Sequence, residues 1–255
     1  MPDEVADPDF MTSLARGLDV MRCFAERPEP MTVAEASKRT GLSRSAVRRC
    51  LHTLAKLGYA AQVGQSYALR PKTLSLGHAY LSSDRLAIVA QPVLDQLRDG
   101  IGESCSLGVR DGDELFYIAR SPAAGIMTIA LTVGSRLPLY CTSMGRVLLA
   151  AAPRPDVETY LDRVERTART ERTQTDRRLL ADILDRVREE GFAIVDQELE
   201  LGLRSVAVPV FDRNQQVVAA LNVGTQAARI PLAELRQRIL PALRRGSRDL
   251  SMLGL

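Results

Sequence analysis

The sequence predicts an α+β protein in two parts: a small helical unit with a short hairpin, then a larger antiparallel sheet with flanking helices. Three observations predict it. Apolar residues recur at helical spacing through roughly the first sixty positions. Beyond residue 104, hairpin cues replace a strict strand–helix–strand alternation. Charge divides sharply between the two parts. The 255 residues suffice for two ordinary domains. With 45% hydrophobic and 25% charged residues the chain is globular rather than disordered. Aromatics are only 4% and Trp is absent, so the core is aliphatic. No apolar run reaches the roughly 18 residues that span a bilayer. The opening MPDEVADPDF is acidic and lacks a basic-then-apolar leader pattern. Cys23, Cys50, Cys105 and Cys141 form no C-x-x-C pair, and His52 and His78 are the two histidines. This excludes zinc-ribbon, zinc-finger and disulfide frameworks, so no metal or cofactor is expected. The expectation is a cytoplasmic protein.

The elements follow in order. Residues 13–26 carry Leu14, Leu18, Met21 and Phe24 as a helical stripe, ended by Pro28 and Pro30. Thr32 caps a short helix VAEASKRT, with Glu35 three residues on as in a capping box. Gly41 stops it. Ser43 is the N-cap of a second helix that runs to about Leu57, with Gly58 as its stop. Two helices joined by a short Gly-containing turn make a helix-turn-helix. Val47, Cys50, Leu51 and Leu54 form the packing stripe of the second helix, and Arg44, Ser45, Arg48, Arg49 and His52 occupy the opposite face. YAAQV and SYALRP then flank a turn at 63–66, a small hairpin placed as a wing.

Charge marks this unit. No acidic residue occurs between Glu35 and Asp84, whereas Lys38, Arg39, Arg44, Arg48, Arg49, Lys56, Arg70 and Lys72 give the segment a charge of +8. The rest of the chain, with 26 basic and 31 acidic residues, is acidic. A single-sign block on an acidic remainder points to a polyanion partner for one part only. The arginine face of the second helix suits phosphates and base edges in a major groove.

KTLSLGHAYLSS is helix-compatible, as is DRLAIVAQPVLDQLRD, where Pro92 should kink or restart the helix. SCSLGVR and ELFYIAR flank Asp111-Gly112-Asp113, a tight-hairpin cue. IMTIALTV is a β-branched run. SMGRVLLAAA, PDVETYLDRV and DRRLLADILDRVREEG read as helices; AIVDQ, SVAVPVFD and QVVAALNVG read as strands, with Arg213-Asn214 turning between the last two. A final helix spans about 232–250. No G-x-G-x-x-G, G-x-x-x-x-G-K-[ST] or G-x-S-x-G occurs, and both histidines lie in the basic block, so a hydrolase triad in the second part lacks its base.

GLSRSAVRRCLHTLAKLGYA and YALRPKTLSLGHAYL resemble the DNA-binding domain of the IclR family of bacterial transcription regulators. LPLYCTSMGRVLLA, GFAIVDQELELGLRSVAVPVFD and VVAALNVGT resemble the effector-domain motifs of the same family, so the likeness covers about 240 residues. DQELELGLRSVAVPV is most similar to the members that govern protocatechuate, 4-hydroxybenzoate and β-ketoadipate catabolism. The resemblance implies a winged helix-turn-helix at 12–70, a linker helix at 71–83, and a GAF- or profilin-like effector-binding and oligomerisation domain at 84–253. It implies a double-stranded DNA operator, a small aromatic or dicarboxylic acid effector, a homodimer or tetramer, no membrane, and RNA polymerase contact in an activator. The alternatives are a sensor of another organic acid such as a keto-acid, a ligand-independent DNA-binding protein, and an enzyme domain fused to a DNA-binding module.

DNA-contact candidates are Thr32, Ser43, Arg44, Ser45, Arg48, Arg49 and His52. Cys141-Thr142-Ser143-Met144-Gly145 opens a helix, so its amides either seat an anion or are capped by Thr142 or Ser143. Family positions mark Ser143 and Met144 as pocket-lining. Asp196, Glu198 and Glu200 alternate along an extended segment and face one way, as a pocket edge or a solvated strand edge. Ser205, Asn222 and Gly224 match further pocket positions, where members that sense small keto-acids tend to carry Cys or Ser. Arg120 or Arg136 pairs with a ligand carboxylate, or else with Asp196 or Glu198. Cys141, beside a helix N-terminus, is open to reading as a low-pKa thiol.

Overall fold

Local capping chemistry starts the first unit. Thr32 Oγ1 accepts from the Glu35 amide while Glu35 Oε2 accepts from the Thr32 amide at 2.8 Å, a complete capping box. The helix it opens ends at Gly41, whose φ of 70° is the left-handed stop that favours glycine. The computed structural model describes residues 7–26, 29–83, 85–123 and 131–253. The chain divides after Tyr80 into two compact units, each with its own core.

The first unit runs α1 (Thr12–Glu26), β1 (Met31–Thr32), α2 (Val33–Thr40), α3 (Arg44–Lys56), β2 (Ala60–Val63) and β3 (Ser66–Leu69). Ser43 caps α3 by accepting from the Ala46 amide. Val47, Leu51 and Leu54 of α3 are buried with Ala36 and with Val20, Cys23 and Phe24 of α1. Cys50 is only half-buried, at the margin of this core. The stripe expected on α1 is corrected in its first half: Leu14 and Leu18 are exposed, whereas Phe24 is buried and Met21 packs against the same core, with Val20 and Cys23 completing the buried face. Helical spacing marks an amphipathic helix but does not say which of two apolar edges meets a neighbour. Pro28 lies outside the described residues. The strands form an antiparallel sheet of order β1-β3-β2, with Gly64 at φ 62° in the β2–β3 turn. β1, two residues that precede a helix, carried no strand pattern in the sequence.

A 3-10 turn (Pro71–Thr73) leads into α4 (Leu74–Ser83), and α5 (Arg85–Ile101) follows. α5 is one continuous helix through Pro92, so the helix does not restart there. The carbonyl left without its helical donor is that of Ile88, and Ile88 and Pro92 both lie on the exposed face of the helix.

The second unit continues with β4 (Ser104–Asp111), β5 (Glu114–Ser121), β6 (Arg136–Pro138), α6 (Ser143–Ala151), α7 (Arg154–Arg163), α8 (Arg177–Glu190), β7 (Ala193–Asp196), β8 (Leu203–Phe211) and β9 (Val217–Gln226). A last helix begins as α9 (Leu232–Glu234), passes a π-turn at Leu235–Ile239 and ends as α10 (Leu240–Met252). The six strands are antiparallel in the order β6-β5-β4-β9-β8-β7. The inner strands bury residues on both faces. Leu107, Val206, Val208, Leu221 and Val223 pack with α5 and α10 on one side. Leu115, Tyr117, Ala207 and Ala220 pack with α6, α7 and α8 on the other. This matches the expected antiparallel sheet with flanking helices. Of the β-branched run 126–133, residues 126–130 lie outside the described residues and Leu131–Val133 is not a strand. The edge strand beside β5 is β6, because Arg136–Pro138 is what pairs with Glu114–Phe116.

The N-terminus of α6 is pressed against the backbone before it. Thr142 Oγ1 accepts from the Gly145 amide and donates to the Pro138 carbonyl at 2.8 Å. A Cβ on Gly145 would collide with the Leu139 backbone and Thr142 Oγ1. Gly145→Ala is therefore expected to destabilise the chain by roughly 1–3 kcal/mol. An unchanged urea midpoint would contradict this seating of α6.

Candidate functional site

Two sites emerge, one in each unit. In the first, α3 presents Arg44, Ser45, Arg48, Arg49 and His52 to solvent, opposite Val47, Leu51 and Leu54. The N-terminal end of α3 carries the helix dipole's positive pole, which adds to the arginine field. Ser43 and Thr32 are exposed or half-buried, but their side-chain oxygens are engaged in caps. The hairpin β2–β3 follows α3 directly, and Lys72 lies 4.9 Å over the Tyr59 ring. Basic residues, the helix pole and an acid-free stretch make a surface suited to a phosphate backbone.

In the second unit a small cavity of about 30 Å³ lies between the sheet and the start of α6. The sheet supplies Tyr117, Arg120, Ser205, Asn222 and Gly224; α6 and its approach supply Cys141, Thr142, Ser143 and Met144; Leu131, Val195, Leu199 and Leu203 complete the wall. Of the effector-contact candidates read from the sequence, six meet here: Arg120, Ser143, Met144, Ser205, Asn222 and Gly224. Tyr117, Leu199 and Leu203 had no polar signal to reveal them; only sheet register and the loop's path bring them in.

The polar lining is incompletely satisfied. Ser143 Oγ and Asn222 Oδ1 are closed off from solvent and have no hydrogen-bond partner. The first amides of a helix have no intrahelical acceptor, and at α6 these include those of Ser143 and Met144. Arg120 Nη1 donates to Ser106 Oγ at 2.8 Å. Burial pulls the Arg120 pKa below the usual guanidinium value, and a bound anion would offset that cost. Burial pushes the Tyr117 hydroxyl and the Cys141 thiol up to about 12 and about 11. A thiol so placed is protonated at neutral pH, which corrects the reading of Cys141 as a low-pKa group.

Three expected residues lie outside the cavity. Arg136, on edge strand β6, pairs with Glu114 at 2.9 Å. Asp196 accepts from Arg204 Nε at 2.7 Å and faces Arg172 at 3.4 Å; the Arg204 hydrogen bond lowers its pKa. Glu198 takes both arms of Arg146 at 2.7 Å each and the Gln174 amide at 2.8 Å. The expected alternation of Asp196, Glu198 and Glu200 is corrected: β7 ends at Asp196, and Gln197 has φ 64°, so the segment turns instead of extending. Arg146 is only 2% exposed, so this pair is a buried clamp, and neither residue lines the cavity.

A basic helix-turn-helix joined to a unit with a lined, partly unsatisfied cavity defines a transcription regulator of the ligand-responsive type. Comparison with known proteins makes this specific. Residues 78–252 match the bacterial transcriptional regulator IclR C-terminal model, and residues 13–64 match the IclR helix-turn-helix domain. The chain belongs to the IclR family. It is 54% identical over 245 residues to the Pca regulon regulatory protein of Pseudomonas putida, covering 96% of this chain and 84% of that one. It is 33% identical over 229 residues to the p-hydroxybenzoate hydroxylase transcriptional activator of Acinetobacter baylyi, covering 88% and 84%. A crystal structure of a transcriptional regulator from Rhodococcus sp. RHA1 is similar with a TM-score of 0.82 and 43% identity, over 95% of this chain and 98% of that one.

Removing one member of a buried ion pair strands the other charge at a cost of roughly 3–5 kcal/mol. Glu198→Ala is accordingly expected to lower the unfolding free energy by about that much. Native-like stability in this variant, with effector response lost, would instead make Glu198 a ligand contact.

Proposed function

We propose that this regulator binds an operator through the face of α3 and releases or grips it according to a small organic acid held in the cavity. The observation that carries the second half is the pair of closed-off polar atoms, Ser143 Oγ and Asn222 Oδ1, on the wall of one cavity. Buried polar groups without partners are rare; Tyr160 Oη is a third such atom, away from the cavity, and the two belonging to residues of the cavity wall support an occupant there. The similarity to the Pca and p-hydroxybenzoate regulators supports an aromatic or dicarboxylic acid as that occupant, and a role in aromatic-acid catabolism. The functional divisions are 12–70 for DNA binding, 71–83 as linker and 84–253 for effector binding and assembly. The chemistry of the described cavity supports regulation without catalysis.

The DNA contacts proposed are Arg44, Ser45, Arg48, Arg49 and His52, with Thr32 and Ser43 at the two helix starts. A second copy of the chain is the proposed partner of the exposed apolar residues of the first unit. Phe10, Met11, Leu14 and Leu18 at α1, and Leu74, Leu76 and Tyr80 on α4, are all at least half exposed. A dimer fits two half-sites of an operator. A tetramer would double that unit, and RNA polymerase is a further partner if the protein activates. Among the described residues no helix is long and apolar enough to cross a membrane; a DNA partner sets the cytoplasm as the place of action.

For the acid to control the operator it must bind two conformations of the protein unequally. Two measurements test the scheme. Arg48→Ala and Arg49→Ala are expected to weaken operator binding while leaving thermal stability unchanged. The salt dependence of log K should fall by about 1 for each lost phosphate contact. Native operator affinity in both variants would overturn the face assignment. An acid that binds the cavity should shift both the thermal midpoint and the operator affinity of the full chain; an acid that shifts the first alone would separate binding from regulation.

A further inference from the structure

Arginines without partners gather at one place in the second unit, away from the effector cavity. A groove of about 530 Å³ lies between α10, the end of β8 and the turn that leads to β9. Its size falls in the range of small-molecule sites. Three guanidiniums line it, Arg213 on the turn and Arg244 and Arg248 on α10, against one carboxylate, Asp212. That carboxylate is largely spent on the turn itself: Asp212 Oδ1 accepts from the Asn214 and Gln216 amides, each at 2.8 Å. Arg244 donates to the Glu190 carbonyl at 2.9 Å and lies 5.5 Å over the Phe192 ring. The guanidiniums of Arg213 and Arg248 have no partner among the described residues. Arg244 and Arg248 stand four residues apart on one helix, a spacing at which like charges repel. An anion placed among the three turns that repulsion into attraction.

The remaining lining is apolar. Val208, Pro209 and Phe211 of β8 contribute, with Met252, 80% exposed, from the end of α10. A second hollow of about 200 Å³ adjoins the groove, with Gly191, Pro209 and Phe211 in both walls, and adds Val147, Ala151, Val187 and Val217. Its one cation, Arg188, is already committed: it donates to the Ala150 and Ala152 carbonyls and pairs with Asp185. Free positive charge therefore sits at one end and apolar surface at the other. The turn adds an independent sign. Gln215 has a φ of 60°, in the left-handed region that favours glycine, yet the turn carries a side chain there and that residue lines the groove.

We propose that this groove is a second ligand site, distinct from the effector cavity, for an amphipathic organic acid: the carboxylate or phosphate head lies among Arg213, Arg244 and Arg248, and the alkyl or aryl body lies along Pro209 and Phe211. A guanidinium matches either head with two parallel hydrogen bonds. Exposed ion pairs gain little singly, so affinity requires several arginines on one head together with burial of the apolar body. The site is independent of the effector reading, and the failure of either leaves the other standing.

Titration calorimetry on the full-length protein, with hexanoate, octanoate, decanoate, octyl phosphate and octylamine as probes, tests the proposal. The acids are expected to bind and octylamine not to bind. Affinity should rise about twofold per added methylene, half of the roughly fourfold that full burial gives, because the groove is open on one side. It should fall with added salt. Whichever of octanoate and octyl phosphate binds more tightly identifies the head group, and either result supports the site. Replacing both free arginines, Arg213→Gln with Arg248→Gln, should weaken octanoate at least fivefold while leaving the thermal midpoint unchanged, since neither guanidinium holds the fold. Lysine at both positions should restore part of the affinity. Arg120→Gln, which alters only the effector cavity, should bind octanoate as the native protein does. Native octanoate affinity in the double glutamine variant, equal binding of octylamine, or loss of octanoate in Arg120→Gln alone would overturn the proposal. So would absence of binding by every acid. A fall in sedimentation mass of the double glutamine variant, with no acid bound by the native protein, would overturn it in favour of an interface between copies of the chain.

Discussion

The buried clamp between Arg146 and Glu198 is the interaction on which the second unit's site depends. Two charges taken out of water are tolerated only when their geometry is good and their remaining donors and acceptors are used. Here both conditions hold. The guanidinium grips both carboxylate oxygens, its Nε donates to the Tyr140 carbonyl at 2.8 Å, and the carboxylate also takes the Gln174 amide. Thr170 and Thr173 hold the carbonyls of Gln197 and Glu198 at 2.7 and 2.6 Å. The turn after β7 is thereby tied to α6, whose first residues form the opposite wall of the cavity. The clamp fixes the distance between two walls without itself entering the space between them.

What the clamp frames is a deliberate shortfall in packing and bonding. Aliphatic side chains of the same size would fill the sheet row around Ser106 and Asn222 at lower cost, since unpaired buried polar atoms destabilise a core. Under the proposed effector reading, retaining Asn222 and Ser143 without partners, next to a half-buried arginine, trades stability for affinity toward an occupant. Pocket residues break the rule that local and global preferences agree, and such breaks concentrate at functional sites.

The first unit follows the opposite logic. Its capping box, left-handed glycine stop and Ser43 cap satisfy helix ends locally, so α2 and α3 hardly need tertiary help to find their bounds. With the backbone settled close to home, the α3 arginines are left to solvent and to a polyanion. Their strength lies in number and sign rather than in buried geometry, which is why the charge map of the sequence was so informative there.

Legibility divides along the same line. Sequence by itself determined the helix bounds of the first unit, the hairpins around Gly112 and Arg213-Asn214, the basic face of α3 and six of the cavity's lining residues. Each of these rests on neighbours within about four positions, or on motifs with the resemblance they carry. Tertiary structure alone decided that Leu14 and Leu18 stay exposed, that Pro92 leaves α5 unbroken, that Arg136–Pro138 supplies the edge strand beside β5, and that Glu198 serves Arg146 rather than the cavity. The physical reason is range. Capping, turn chemistry and helical period are set by chain neighbours, whereas the partner of a buried charge is chosen among residues such as Arg146 and Glu198 that only folding brings together.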